Sequence, residues 1–129
     1  MMERKESPLR TKSEDFAIRI IRLYQYLTKD KHEYVMSKQI YRSGTSIGAN
    51  IAESRNAQSS ADFISKLSIA LKESDETEYW LKNLYSSGIL NEKQFLSIHH
   101  DNIEITKMLT SAIKTIKQKK ENYENKGNK

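Results

Sequence analysis

The chain has 129 residues, of which 36% are hydrophobic, 30% are charged and none is cysteine. That length fits one domain, the missing cysteine excludes disulfides and thiolate metal sites, and the apolar share, below the roughly 45–50% of average soluble domains, leans towards extra burial between subunits. The formal net charge is +5, with four bases against two acids in residues 31–60, three against five in 61–90 and eight against five in 91–129; such a balance suits nucleic acid or an anionic surface, although a lysine-rich helical protein also reaches it through solubility alone.

Residues 1–12 are polar, contain Pro8 and read as a flexible N-terminal arm. The charges at the start have no apolar run behind them, so no secretory signal is read there. No apolar stretch approaches the ~18 residues needed to span a bilayer. The cytoplasm is the expected compartment, with no membrane contact. Ser13, followed by Glu14 and Asp15, reads as a helix N-cap with acids in the first turn. From there Phe16, Ile20, Leu23 and Leu27 recur at helical spacing, with Ala17, Ile21 and Tyr24 beside them, which predicts a helix over 13–29.

After the polar turn Asp30-Lys31-His32, a second helix is expected from Glu33 to Asn56, with Met36, Ile40, Ile47 and Ile51 on one side. Ser59 with Asp62 resembles a capping arrangement for a third helix. In that helix Phe63, Leu67, Ala70, Ser74, Thr77, Leu81 and Leu84 form the clearest stripe of the chain, widened by Ile64 and Leu71. Ser87-Gly88 ends it, since glycine accepts the left-handed conformation past a helix end. Asn91 with Gln94 offers the cap of a fourth helix, lined by Phe95, Ile98, Ile105, Leu109, Ala112 and Ile116 and fraying near residue 120; residues 121–129 read as a disordered tail. No strand-like alternation and no internal repeat is present. The expected fold is all-α: an antiparallel up-down-up-down four-helix bundle over residues 13–120.

The second helix carries two interior glycines, each costing about 1 kcal/mol against alanine. Gly44, Gly48 and Ala52 fall at i, i+4 and i+8, a smooth ridge for close helix packing or for the approach of a ligand. Arg42-Ser43-Gly44-Thr45-Ser46-Ile47-Gly48-Ala49-Asn50-Ile51-Ala52-Glu53, continued by Asp62-Phe63-Ile64-Ser65-Lys66-Leu67-Ser68-Ile69-Ala70-Leu71-Lys72-Glu73 and Glu76-Thr77-Glu78-Tyr79-Trp80-Leu81, resembles the signature of the four-helix-bundle proteins encoded within intervening sequences of bacterial 23S ribosomal RNA genes. The likeness extends more loosely from Phe16 to about Lys117. It implies a ring-like homo-oligomer, a pentamer by similarity to the accessory variability protein of diversity-generating retroelements, which engages nucleic acid and a reverse transcriptase. The family's name records a genetic location, and its biological role is unsettled.

Three groups of residues stand out for function. Arg42, Asn50, Glu53, Glu73 and Glu76 read as a polar layer between helices, with Arg55 beside them. Glu73 and Glu76 invite comparison with di-metal bundles. Those require Glu-x-x-His motifs, whereas residues 73–76 read Glu-Ser-Asp-Glu. No metal, cofactor or catalytic residue is therefore expected, and no phosphate-cradling loop or nucleophile elbow is present. Arg19, Arg22, Lys38, Arg42, Arg55, Lys107, Lys114, Lys117, Lys119 and Lys120 are the candidate nucleic-acid contacts, with RNA first. The helix-four lysines equally suit solvation and the helix dipole. A ring would repeat each cation and multiply avidity. Trp80, near the edge of the apolar stripe, either covers the bundle margin or contacts a neighbouring subunit. The alternative to nucleic-acid binding is a protein-interaction scaffold.

Overall fold

Ser7 and Pro8 open the first helix. Ser7 is extended and its Oγ accepts a long bond, 3.5 Å, from the Arg10 N–H, while Pro8 takes a first-turn position where its missing N–H has no helical partner to lose. The computed structural model describes residues 7–127, and four helices occupy it: α1 (Pro8–Lys29), α2 (Met36–Ser54), α3 (Ser60–Ser86) and α4 (Glu92–Gly127). No strand occurs among the described residues.

The expected arm is thus helical from Pro8, and residues 1–6 lie outside the described residues. Ser13 is not a cap. It is buried inside α1, its hydroxyl donating to the Arg10 carbonyl at 2.8 Å. The second helix starts later than expected because Glu33 caps it rather than belonging to it. The Glu33 carboxylate accepts the N–H groups of Val35, Met36 and Ser37 at 2.9, 2.8 and 2.7 Å. This satisfies orphan donors of the first turn and places negative charge at the positive end of the helix. The same helix closes at Ser54, short of Asn56.

The other boundaries follow the local signals. Ser59 Oγ accepts from the Asp62 N–H at 3.0 Å. Asn91 and Gln94 cap one another reciprocally, each backbone N–H donating to the other's side-chain oxygen at 2.9 and 2.8 Å. Gly88 has φ +82, and the N–H groups of Ile89 and Leu90 turn back to the Leu84 carbonyl. The fourth helix continues to Gly127 instead of stopping near 120, so the tail expected over 121–129 is helical as far as it is described; residues 128–129 lie outside. Lys, Gln and Glu after Ile116 are good helix formers, and no breaker intervenes before that glycine.

Each helix packs on its chain neighbours. The first also meets the fourth, least extensively of all, and the backbones of the two diagonal pairs stay apart. Side-chain contacts tie each helix to its neighbours. Gly44 and Gly48 of α2 meet Ile20 and Ser13 of α1. Thr77 bonds Ser43, and Lys66 pairs with Glu53. Glu78 meets His99, Ser74 meets Asn102, and Arg19 meets Asp101. Phe16, Ile20, Leu27, Ile40, Ile47, Leu67, Ala70, Leu81, Leu84, Ile105 and Leu109 form the buried centre. Their burial supplies the driving force, about 1.5–3 kcal/mol for each large side chain.

Candidate nucleic-acid interface

Some charged side chains are tied across helix seams, and others face solvent with no opposite charge beside them. At the α1–α4 seam Arg19 donates to Asp101 Oδ2 at 2.6 Å and to the Ser97 carbonyl and hydroxyl at 3.1 and 2.8 Å. Lys12 bridges Asp101 and Glu104 at 3.6 and 2.5 Å, and His100 approaches Glu104 at 2.8 Å. The Glu104 carboxylate lifts the Lys12 ammonium above its usual range, and Lys12 in turn holds Glu104 below the ordinary carboxylate value. On the opposite seam Arg42 pairs with Glu76 and, at 3.4 Å, with Glu73. The Arg42 guanidinium depresses the Glu76 pKa against the opposing effect of burial.

Arg19 and Arg42 are therefore structural ties. Arg22, Lys38, Arg55, Lys107, Lys114, Lys117, Lys119 and Lys120 are all exposed and form no ion pair among the described residues. They do not make one patch. Lys107 and Lys114, two turns apart on α4, project away from the core face that carries Ile105, Leu109 and Ile113. Beyond Ile116 no side chain of α4 through Lys126 is covered. At 36 residues against 27 for α3, α4 is about 54 Å long against about 40 Å. Its end runs free, with Lys117, Lys119 and Lys120 distributed around it.

The polar layer expected from the sequence is only partly assembled. Arg42, Glu73 and Glu76 meet, but Arg42 is half-exposed. Glu53 pairs instead with Lys66 at 3.2 Å, and the Asn50 side chain bonds the Ser46 carbonyl of its own helix at 2.8 Å. The buried polar contacts lie deeper and are made of small side chains. Thr77 donates to Ser43 at 3.0 Å, and Ser74 bonds both Asn102 Oδ1 at 3.1 Å and Thr106 at 2.6 Å. Asn102 also donates to the Ser74 carbonyl at 3.0 Å. The signal for Asn102 was the gap it leaves in the helix-four stripe, between Ile98 and Ile105. Fully hydrogen-bonded, such a layer fixes helix register at small net cost.

The glycine ridge holds at two of its three positions. Gly44 is buried against Ile20, and a Cβ on Gly48 would lie 3.3 Å from the Ser13 carbonyl oxygen. Ala52 is exposed. A row at i, i+4, i+8 winds about 80° around the helix, since each residue advances 100°, and by Ala52 it has left the interface. Trp80 is half-buried against the core and meets Tyr79 edge-to-face, with centroids 4.9 Å apart. It covers the bundle margin within this chain.

Two of the surface concavities bear on the site; a third, about 820 Å³, runs along the α1–α4 seam beside Arg19, His100 and Asp101. The larger, about 870 Å³, opens between the ends of the helices and is lined by apolar residues including Leu9, Ile51, Phe63 and Met108, with Arg10, Glu14 and Arg55 among its polar residues. Arg10 is already paired with Glu14 at 2.9 Å. The smaller, about 400 Å³, lies between α1 and α2 and is lined by Ile21, Tyr24, Gln25, Lys38 and Tyr41. Among the described residues no group of three or more His, Asp or Glu is placed to hold a metal ion, and no helix is long and apolar enough to cross a membrane.

The family model for "23S rRNA-intervening sequence protein" matches residues 5–111. None of the curated proteins matches the chain. Among solved structures, a protein of unknown function from the S23 ribosomal protein family of Bacteroides thetaiotaomicron is 56% identical, with a TM-score of 0.82, covering 82% of this chain and 98% of its own. The match begins earlier than the resemblance read from the second and third helices, and it stops before Lys114, so the basic end of α4 lies beyond it.

Proposed function

We propose that this chain, which belongs to the 23S rRNA-intervening sequence protein family, is a non-catalytic, up-down-up-down bundle that associates with copies of itself and binds nucleic acid in the cytoplasm. One observation carries the reading: eight of the ten candidate bases are exposed with no acidic partner among the described residues, in a chain whose formal net charge is +5. Positive charge left over in this way is free to displace counterions from a phosphate backbone. RNA is the first polymer to test.

Self-association supplies the avidity that one bundle lacks. Ile18, Ile69, Tyr79 and Leu96 point outward at 40–59% exposure, apolar surface of the kind that interfaces cover. A ring of five is the expectation from the family resemblance. The same surface favours the second reading, a scaffold for another protein that ignores polynucleotides.

Light-scattering mass of the native protein, with absorbance at 260 and 280 nm, reports assembly size and bound nucleic acid together. Fluorescence anisotropy with RNA and DNA across a salt series then measures binding. The logarithm of affinity should fall against the logarithm of salt by about 0.7–0.9 per phosphate contact. Replacing Lys114, Lys117, Lys119 and Lys120 by Gln should flatten that slope. A monomer that binds neither polymer at low salt removes the proposal; an assembly that binds neither leaves the scaffold.

A further inference from the structure

The cleft between α1 and α2 is lined by Ile21, Tyr24, Gln25, Lys38 and Tyr41. Tyr24 and Tyr41 meet across it with ring centroids 4.9 Å apart and planes at 61°. Tyr41 is 40% exposed, so the pair presents aromatic surface to solvent instead of closing on itself. Lys38 lies one turn before Tyr41 on α2, has no ion-pair partner among the described residues, and reaches the same cleft. The lining holds one cation, one amide and no acid. At about 400 Å³ the space is at the small end of ligand sites, which run from ~300 to 1,000 Å³.

We infer that this cleft is a stacking point for one base of a single-stranded nucleic acid, with Tyr41 against the base and Lys38 on the adjoining phosphate. Aromatic faces beside an unpaired cation form the combination that holds single strands without reading their sequence, because every base has a π-face. A duplex keeps its bases stacked inside and cannot use the tyrosines. No carboxylate lines the cleft to repel a polyanion, and Lys38 attracts one. The close α1–α2 packing at Gly44 and Gly48 holds the two tyrosines at a fixed separation, so the site is formed before the strand arrives.

This inference rests on the nucleic-acid reading above, and the test separates the two. The full-length protein is titrated into labelled single-stranded and double-stranded RNA of equal length. The variants are Tyr41→Leu, Tyr41→Phe and Lys38→Gln, each checked for unchanged helix content and thermal midpoint. Tyr41→Leu should weaken single-strand binding about ten-fold or more with the salt slope unchanged, Tyr41→Phe should restore it, and duplex binding should not respond. Lys38→Gln should lower the slope by roughly one phosphate contact. If the wild-type protein binds no polymer, the nucleic-acid reading fails and takes the cleft with it. If it binds and Tyr41→Leu binds equally well, the cleft alone is refuted and the free lysines carry the affinity.

Discussion

Gly44 faces Ile20 so closely that a Cβ built there would lie 2.6 Å from Cγ1 and 2.9 Å from Cγ2 and Cδ1. Those atoms are the branch of a fully buried side chain, hemmed in on every side. Gly44→Ala must therefore push α1 away or force Ile20 from its rotamer. Overpacking of this kind costs about 1–3 kcal/mol, and the gain in helix propensity, about 1 kcal/mol, offsets part of it. The expected net loss is about 1–2 kcal/mol in urea unfolding. A Cβ at Gly48 would lie 3.3 Å from the Ser13 carbonyl oxygen, a tight contact but not an impossible one. Gly48→Ala should stay within about 1 kcal/mol of the parent, the propensity gain balancing a small shift. Equal stability of parent and Gly44→Ala would show that the close approach does not exist. The i, i+4 spacing of the glycines was visible in the sequence, but that Ala52 drops out of the row was not, because only the crossing of two helices decides how far a ridge stays in contact.

At the scale of the element, α2 depends on a residue outside it. Val35 at its N-cap provides no side-chain acceptor, and the Glu33 carboxylate serves three N–H groups instead. His32, at φ 52, turns the chain so that Glu33 can reach them. Glu33→Ala should cost about 1–2 kcal/mol, the range for losing a cap and its favourable charge, and raise amide exchange first in the opening turn of α2. Glu33→Gln keeps an acceptor and should lose less. A variant as stable as the parent would mean that water satisfies the first turn equally well. The reciprocal Asn91–Gln94 cap and the Ser59–Asp62 cap were legible because each follows a short-range motif. The role of Glu33 was not, since a glutamate before a helix reads equally well as its first turn.

For the molecule as a whole, the bundle is held unequally. The α1–α4 side has the least extensive packing and the densest ionic ties, whereas α2 and α3 share the largest contact. Exposed pairs are individually worth about 0.2–1 kcal/mol and weaken with salt. Acid exposes their sum. Glu76 is depressed by Arg42 and Glu78 by His99 and Lys82, so both release their protons more readily when folded than unfolded. Their contribution is complete above the ordinary glutamate value of 4.5 and is lost as pH falls through the depressed values. Thermal unfolding by circular dichroism should therefore show a midpoint that falls below about pH 4.5. The double variant Glu76→Gln, Glu78→Gln should start lower at neutral pH and fall less. An unchanged acid limb would assign acid sensitivity to other carboxylates.

Helix number, helix faces and half of the helix ends were written in the sequence, because an apolar period of 3.6 and a capping motif act over a few residues and need no tertiary partner. Phe63 through Leu84 show this most clearly, the stripe marked by spacing alone being the face that α3 buries. Only the folded chain decided which charges are spent and which remain free. Arg19 and Lys38 look alike in sequence, yet one meets Asp101 some eighty residues away and the other meets no acid. The physical reason is that an ion pair across a seam depends on the relative height and rotation of two helices, and these are set by how Ile20, Gly44, Ser74 and Asn102 pack together.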